Sequence, residues 1–345
     1  MTDLFVGRVA RHTHGPAILA DGSTVDYPEL IRRSRRVAAA LRSLHGARDL
    51  NEARVGFLVQ PGSDWVALVL GIWRAGGVAV PLAVSHPPPE MDHVIRDAQA
   101  ACVVADRASA PRVEALAQAA GARFVTIEAL QAPAGPASAD ADPPIDPSRR
   151  ALILYTSGTT GRPKGVVTTH GRIAAQIATL VDAWRWTEAD RTLLVLPLHH
   201  VHGIINVVAC ALWAGATCEI HPAFDATAAW GRLGSGEISV FTAVPTIYHR
   251  LIAAYDAAPA PTQDEWRAGC ARARLMMSGS AALPVAILGR WRAISGHVLL
   301  ERYGMTEIGM AIANPLEGER RPGHVGAPLS GVSARIVPSS GMVIW

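Results

Sequence analysis

Residues 155–165 read YTSGTTGRPKG and combine the residue types that bind phosphate groups. Glycines let backbone N–H groups turn toward a bound anion, and the hydroxyl side chains add further hydrogen-bond donors. Lys164 adds a full positive charge near the end of the stretch. The combination predicts a loop that binds a triphosphate. The alternative interpretation is a plain polar turn, because Gly, Ser and Thr are also ordinary turn residues.

This loop differs from the P-loop of many ATPases, in which the lysine precedes a Ser or Thr and a helix follows directly. Here Pro163 precedes Lys164, and residues 165–169 alternate in the manner of a strand. The apolar run 151–154 on the other side predicts a buried strand. We therefore expect the phosphate loop to lie between two strands.

A second segment, residues 301–307 (ERYGMTE), carries further nucleotide chemistry. Tyr303 can stack on a purine, Thr306 can donate to a phosphate, and Glu307 can hold a Mg²⁺ ion that bridges phosphates. Alone, such a string also fits an exposed loop. Together with the upstream phosphate loop it favours a nucleotide site.

Three histidines, His199, His200 and His202, occur within four positions after a predicted strand at 192–196. Ligands of open α/β sheets bind at the carboxyl ends of strands, so the location suits a binding site. Imidazole is a common metal ligand. No Cys, Asp or Glu lies close by in the sequence to complete a metal site, so a metal is the less favoured interpretation.

These segments, in this order, resemble the adenylate-forming enzymes: acyl-CoA synthetases, luciferases and the adenylation domains of peptide synthetases. The resemblance runs from about residue 26 to 337. The combination of HHVHG, PTIYHR (245–250), SGSAAL (278–283) and ERYGMTE is most similar to malonyl-CoA synthetases. It implies ATP, Mg²⁺ and CoA as cofactors and cosubstrates. It also implies an α/β fold with two layered subdomains, mostly parallel sheets and a small β-barrel-like region from residue 322.

The resemblance also implies roles for individual residues. Catalytic roles fall to Lys164, Thr306, Glu307 and His202, with Glu307 as the metal ligand. Nucleotide contacts are expected from Thr156, Ser157, Gly158, Thr159, Thr160, Gly161, Lys164, Ser278, Gly279, Ser280, Ala281, Glu301, Arg302, Tyr303, Gly304, Met305 and Thr306. Contacts with the acid are expected from His202, Gly203, Arg250, Arg302 and Met305.

Arg250 and Arg302 bear on the identity of the acid. A pocket for a fatty acid would not accommodate two guanidinium groups, because burial of unpaired charge is costly. A substrate with a second carboxylate would pair with them, since arginine matches carboxylates in a bidentate manner. The alternative is that one or both form structural ion pairs or lie exposed.

The sequence-based hypothesis is an ATP-dependent acid:CoA ligase that activates malonate or methylmalonate through an acyl-adenylate. One alternative is a ligase for another short-chain, fatty or aryl acid. Another is a non-catalytic nucleotide- or acyl-binding fragment, because no Thr-Gly-Asp turn occurs in the sequence and the resemblance implies a further mobile C-terminal domain with a catalytic lysine. We expect 1–337 to be the large N-terminal adenylation domain and 338–345 a truncated end.

Periodicity places the elements around these segments. Strands are predicted at 54–59, 77–82, 101–105, 123–127, 151–154, 192–196, 217–220, 238–243, 273–277 and 297–300. Helices are predicted to begin with residues 24–30, at 64–74, at 172–184, at 204–213 and from 245. Residues 132–148, rich in Ala, Pro, Asp and Gly, read as a linker.

Composition excludes several classes of protein. The net charge of +3 over 345 residues does not suggest a nucleic-acid partner. Four widely spaced cysteines fit a reduced cytosolic protein. The N-terminal residues lack a secretory pattern, and the apolar run 203–216 is too short for a membrane span. We therefore expect a cytoplasmic protein with a small carboxylate, ATP and CoA as its partners.

Overall fold

A computed structural model describes residues 4–132, 142–156 and 162–336 of the chain. The chain divides into two compact units: unit 1 comprises Met1–Ala178 and Trp186–Asp225, and unit 2 comprises Thr179–Arg185 and Ala226–Trp345. Each unit combines helices with mostly parallel strands. The predicted fold class, α/β with mostly parallel sheets, is confirmed. The assignment of 1–337 to one adenylation domain stays a prediction.

Unit 1 begins with a short helix and then alternates strands and helices. Its helices are α1 (Phe5–Val9), α2 (Tyr27–His45), α3 (Ser63–Arg74), α4 (Pro88–Asp97), α5 (Ala110–Ala119), α6 (Ile127–Gln131), the start of α7 (His170–Ala183), a π-helix (His202–Ala209) and α8 (Cys210–Ala214). Its strands are β1 (Pro16–Ala20), β2 (Ser23–Asp26), β3 (Arg54–Leu58), β4 (Val78–Pro81), β5 (Cys102–Ala105), β6 (Arg123–Thr126), β7 (Arg150–Thr156), β8 (Lys164–Thr169), β9 (Arg191–Leu194) and β10 (Thr217–Ile220).

A six-stranded sheet in unit 1 has the order β6-β5-β3-β4-β7-β8. Its neighbours are parallel except for β7 and β8, which form an antiparallel pair at the edge. The other strands of unit 1 have the order β9-β10-β1-β2, antiparallel only between β1 and β2. The phosphate-binding segment therefore lies between two strands, as predicted.

Helix α3 is apolar on all sides and is buried from Trp65 to Arg74, as expected of a core helix. The indole Nε1 of Trp73 donates to the carbonyl oxygen of Ala151 at 2.7 Å, which ties α3 to β7. On the opposite side α3 approaches α2 closely at Gly71. A Cβ at this position would lie 2.6 Å from the Cβ of Val37, so only glycine fits.

Arg149, directly before β7, also fixes this end of the strand. Arg149 Nη1 and Nη2 donate to the two carboxylate oxygens of Asp49, both at 2.8 Å, and Nη2 also donates to the Gly76 carbonyl at 2.8 Å. Bidentate pairs of this kind add geometric specificity as well as energy. The hydrogen bonds from Arg149 lower the pKa of Asp49 despite partial burial.

Unit 2 contains the remaining elements and the end of α7. Its helices are α9 (Ala226–Gly234), α10 (Pro245–Ala257), α11 (Ala260–Cys270) and α12 (Val285–Ser295). Its strands are β11 (Val240–Ala243), β12 (Leu275–Ser278), β13 (Leu300–Met305), β14 (Gly309–Ala313) and β15 (Ala327–Pro328), in the order β15-β14-β13-β12-β11. Strands β11 to β13 are parallel, and β14 and β15 add antiparallel pairs.

Three sequence predictions need correction or completion. The strand predicted at 297–300 instead runs as β13 through Met305, because β14 pairs with it from Arg302 to Met305. The helix predicted at 204–213 consists of the π-helix followed by α8. Of the linker predicted at 132–148, residues 133–141 lie outside the described part.

Among the described residues, no helix has the length and apolar character needed to cross a membrane.

The close approach of α2 and α3 gives a test of the packing. Gly71→Ala is expected to lower the free energy of unfolding by about 1–3 kcal/mol, because the added methyl group overlaps Val37. Chemical denaturation of both proteins measures the change.

Gly289→Ala is the matched control, since Gly289 lies on the exposed face of α12 and a Cβ there meets no atom within 4 Å. Alanine is the better helix former, so this variant should gain up to about 1 kcal/mol. Truncation of Val37 in Gly71→Ala should restore part of the loss. Equal effects at both glycines would contradict the packing described for α2 and α3.

Candidate nucleotide- and acid-binding site

The phosphate-binding segment is the connection between β7 and β8 in unit 1. The two strands pair in antiparallel register, with Thr156 opposite Lys164. Thr156 is half-buried and Lys164 is exposed at the first position of β8. The remaining predicted phosphate ligands lie outside the described residues: Ser157, Gly158, Thr159, Thr160 and Gly161. This register places the Thr156 hydroxyl beside the Lys164 ammonium group, at the two ends of the connection.

The histidine segment follows β9 in unit 1. The ring centroids of His199 and His200 are 4.1 Å apart, and His86 lies 5.8 Å from His199. Burial, followed by these two neighbouring rings, lowers the pKa of His199 from 6.5 to about 3. His199 is therefore neutral at physiological pH. Among the described residues no three His, Cys, Asp or Glu side chains are grouped so that they could hold a metal ion.

The π-helix carries the two predicted acid contacts of unit 1, His202 and Gly203. His202 is buried, and a Cβ on Gly203 would lie 2.7 Å from the Pro197 carbonyl oxygen, so this glycine packs on the backbone of the preceding turn. Single π-helical turns are rare and are frequent at functional sites. No periodicity in the sequence distinguishes this segment from an α-helix.

Asn206 is a buried residue of the π-helix that sequence analysis did not identify. Its side chain is 1% exposed, and neither its Oδ1 nor its Nδ2 has a hydrogen-bond partner within the described ranges. Such a group carries an uncompensated desolvation cost of about 1–3 kcal/mol. Native structures keep few of them, so each calls for a physical reason such as a bound ligand or water.

Unit 2 brings the SGSAA turn and Arg302 together. Ser278 ends β12 and is paired in register with Glu301 of β13. The Arg302 side chain is buried and lies against Gly279, where a Cβ would come within 2.5 Å of Nη1. Arg302 Nη2 donates to Thr242 Oγ1 at 3.4 Å. The guanidinium group is therefore held at the carboxyl end of β12, beside the turn predicted to contact the nucleotide.

The SGSAA turn has two further features of a binding loop. Ser278 is buried, and its Oγ has no hydrogen-bond partner among residues 4–132, 142–156 and 162–336. Ser280 is exposed with a φ of 69°, in the left-handed region that non-glycine residues seldom adopt. Ala281 is exposed beside it. An unpaired hydroxyl next to a strained turn is typical of a site that receives a ligand.

The end of β13 and the turn that follows present the remaining nucleotide residues. Tyr303 and Met305 are 45% and 42% exposed, so their apolar surfaces are accessible to a flat ring. Gly304 lies between them at a register shift against β14. Thr306 is half-exposed and Glu307 is exposed in the turn before β14. A free carboxylate of this kind suits Mg²⁺, which prefers oxygen ligands.

Glu301 has a structural partner in unit 2. Its Oε1 accepts a hydrogen bond from the backbone N–H of Gly323 at 3.0 Å. Burial raises the pKa of Glu301, and the Gly323 N–H opposes this rise. The carboxylate therefore orders the chain that follows β14, in addition to the nucleotide contact predicted for it.

Arg250 lies on α10, which is fixed by a neighbouring residue. Tyr248 is fully buried and its hydroxyl donates to the Met277 carbonyl at 2.7 Å, which ties α10 to β12. Burial raises the pKa of Tyr248, so this hydroxyl stays a donor. Arg250 is exposed two residues further along. The two arginines thus differ: Arg302 is buried against a turn, and Arg250 is on an exposed helix face.

A family model described as "AMP-binding enzyme" matches residues 5–343 of the chain. The chain belongs to the AMP-binding enzyme family. As a member of this family it is 45% identical to the mitochondrial malonate–CoA ligase ACSF3 of Mus musculus, over 90% of this chain and 55% of that protein. It is 40% identical to the malonate–CoA ligase of Arabidopsis thaliana, over 93% and 58% of the two chains. The chain spans about half the length of the curated relatives that it matches.

Solved structures of MatB and of a malonyl-CoA ligase have the same fold as this chain. The chain aligns with ATP-bound MatB from Rhodopseudomonas palustris with a TM-score of 0.88 at 33% identity, covering 100% of this chain and 68% of that one. It aligns with a malonyl-CoA ligase in a product complex with methylmalonyl-CoA and AMP with a TM-score of 0.79 at 30% identity. That alignment covers 96% of this chain and 69% of the other. The resemblance inferred from the motifs is confirmed.

The unpaired amide of Asn206 gives a prediction that is independent of any ligand assay. Asn206→Leu is expected to raise the free energy of unfolding by about 1 kcal/mol, because an apolar side chain of similar size removes the buried polar group. Chemical denaturation of the ligand-free protein measures it.

The matched control is Asn314→Leu. Asn314 is also buried, but its Nδ2 donates to the Glu301 and His324 carbonyls at 3.2 and 2.6 Å. This variant should lose stability, since both side-chain hydrogen bonds are lost and the Glu301 carbonyl keeps only the one from the Asn314 backbone N–H. A similar loss in Asn206→Leu would mean that the amide is already satisfied in the ligand-free protein.

Proposed function

We propose that this chain supplies the nucleotide- and acid-binding part of an ATP-dependent acid:CoA ligase that activates malonate. The single observation that carries the proposal is the buried Arg302 beside Gly279, at the carboxyl end of β12. An arginine held in this position can bind a carboxylate in a bidentate manner. The names of the malonate–CoA ligases at 40–45% identity support the same acid.

The proposed reaction has two steps. In the first, a carboxylate oxygen of the acid attacks the α-phosphorus of ATP, a P–O bond to the β-phosphate breaks, and an acyl-adenylate and pyrophosphate form. In the second, the CoA thiol loses its proton and attacks the acyl carbon, and AMP leaves with the electron pair of the C–O bond. Both steps move negative charge onto phosphate groups, so positioning and charge neutralisation are the main requirements.

The residues of this chain supply these two requirements. Lys164 neutralises charge on the departing pyrophosphate, and Thr156 beside it donates a hydrogen bond. Tyr303 and Met305 cover the adenine ring, and the free Oγ of Ser278 donates to the nucleotide. When Mg²⁺ is bound, Glu307 holds it, and the ion adds positive charge near the phosphates.

The second carboxylate of malonate selects the acid in this proposal. Arg302 contributes a desolvated guanidinium group, and Arg250 contributes an exposed one. In unit 1, the predicted acid contacts His202 and Gly203 belong to the buried π-helix, as does Asn206.

The test is ATP–pyrophosphate exchange with malonate, methylmalonate, propionate, octanoate and benzoate, first with the unmodified chain. Malonate is expected to support the fastest exchange. Arg250→Ala should lower exchange with malonate up to about fivefold and exchange with propionate by less, because only malonate has a second carboxylate to pair with this arginine and an exposed ion pair contributes about 0.2–1 kcal/mol. Arg267→Ala, an exposed arginine on α11 paired with Asp264, is the matched control.

Each outcome separates one hypothesis from another. A preference for octanoate or benzoate would replace malonate by a different acid. Exchange with no acid, while ATP still binds, would favour a nucleotide-binding part without activity of its own. Equal loss of malonate and propionate exchange in Arg250→Ala would remove this arginine from acid selection. The cytoplasmic location inferred from the sequence stays a prediction.

A further inference from the structure

Helix α4 contacts the β7–β8 hairpin at two points, one on β7 and one directly before β8. On β7, the Tyr155 hydroxyl donates to Asp97 Oδ2 at 2.6 Å. At the other end, His93 Nε2 lies 3.0 Å from the carbonyl oxygen of Pro163, directly before β8. A carbonyl oxygen can only accept, so His93 carries its proton on Nε2. His93 and Asp97 are four residues apart and therefore share one face of α4.

A ring contact joins the two points. The His93 ring meets the Tyr155 ring edge-to-face, with centroids 6.2 Å apart and planes at 83°. Tyr155 is only 9% exposed, and burial together with Asp97 raises its pKa, so its hydroxyl remains a donor at high pH. We call His93, Asp97, Tyr155, Pro163 and Gly165 the α4 clamp.

Gly165 explains how Tyr155 reaches α4. The two residues are paired across the hairpin, Tyr155 on β7 and Gly165 on β8. A Cβ at Gly165 would lie 3.1 Å from Cζ of Tyr155 and 2.9 Å from Cγ2 of Ile153. The tyrosine ring therefore lies over the bare backbone of β8. The first and last residues of the YTSGTTGRPKG segment thus serve the position of the hairpin.

An external contact of this kind matters because β8 is the edge strand of its sheet and pairs with β7 alone among the described strands. An edge strand has one free row of backbone groups, so its position depends on contacts outside the ladder. Lys164 is the first residue of β8, between Pro163 and Gly165, both of which belong to the α4 clamp. The clamp therefore holds both neighbours of this lysine.

We propose that His93 and Asp97 are positioning residues that set the place of Lys164 and Thr156 for the phosphates of ATP. The inference rests on the proposed function, in that it requires the hairpin to bind a triphosphate. It assigns to α4 a role in phosphate affinity, although none of its residues needs to touch the nucleotide.

The experiment measures dissociation constants for MgATP and for AMP by calorimetry on the whole chain. Tyr155→Phe and His93→Phe each remove one clamp hydrogen bond and keep the aromatic ring. Each is expected to weaken MgATP binding about fivefold, the equivalent of one net hydrogen bond, and to leave AMP binding within about twofold. His93→Gln, which retains a side-chain N–H donor, should recover most of the MgATP affinity.

Tyr27→Phe is the matched control. Tyr27 is fully buried and its hydroxyl donates to the Ala216 carbonyl at 2.7 Å, in a part of unit 1 that does not include the hairpin. Burial also raises the pKa of Tyr27, as it does for Tyr155. Tyr27→Phe should lose thermal stability comparable to that lost by Tyr155→Phe and should bind MgATP as the unmodified protein does.

The outcomes distinguish this inference from the proposed function. Failure of the unmodified chain to bind MgATP would overturn both. If the unmodified chain, Tyr155→Phe and His93→Phe all bind MgATP with the same affinity, the role proposed for the α4 clamp is wrong. The proposed function is then unaffected. Parallel loss of MgATP and AMP affinity would also overturn the role of the α4 clamp, because a general structural effect would then explain the result. If Tyr155→Phe does not fold, the comparison of His93→Phe with His93→Gln decides the question.

Discussion

The position of β7 is the constraint on which the β7–β8 hairpin, the proposed phosphate site, depends. Two contacts hold the N-terminal end of the strand: the bidentate pair between Arg149 and Asp49, and the hydrogen bond from Trp73 to the carbonyl oxygen of Ala151. Helix α3, which carries Trp73, is buried on all sides and cannot shift without disturbing the core. Strand β8 then takes its register from β7, and Lys164 takes its place from that register.

Buried polar groups in this chain fall into two classes with different consequences. Tyr27, Tyr248, Trp73 and Asn314 each donate to a backbone carbonyl, so they contribute to the stability of the ligand-free fold. The side-chain polar atoms of Asn206 and Ser278 have no such partner in the described part of the chain. A buried polar group without a partner costs free energy unless something binds to it. The second class therefore marks positions where a hydrogen bond to a ligand or water can offset the free energy of desolvation.

Much of the fold could be predicted from local patterns. The apolar run at 151–154 and the alternation after Lys164 predicted the two strands of the hairpin. Patterns of this kind involve only neighbouring residues and can be seen in the sequence. The strand at 217–220 and the helix that begins at Pro245 follow from the same kind of signal. The roles of Tyr303 and Glu307 at a nucleotide site rest on the pattern of neighbouring residues and stay a prediction.

Other features depend on residues far apart in the sequence and had no local signal. The hydrogen bond between Tyr155 and Asp97 joins positions 58 residues apart. Strand β13 extends through Met305 only because β14 pairs with it. The π-helix differs from an α-helix in its hydrogen bonding and not in its apolar pattern, so Asn206 looked like an ordinary helical residue. Such features follow from tertiary contacts, which outweigh local propensity.

Lys164 is the only lysine in the 345-residue sequence, which allows the central claim, that the β7–β8 hairpin binds a triphosphate, to be measured directly. The measurement is the rate at which an amine-reactive reagent modifies the Lys164 Nζ, followed by peptide mass spectrometry, with the α-amino group of Met1 as internal reference. Saturating MgATP should slow modification of Lys164 about tenfold or more relative to Met1, because an ammonium paired with phosphate is no longer a free amine. Saturating AMP, which lacks the β- and γ-phosphates, should protect it far less. Equal modification rates with and without MgATP, under conditions where the nucleotide is bound, would contradict the claim.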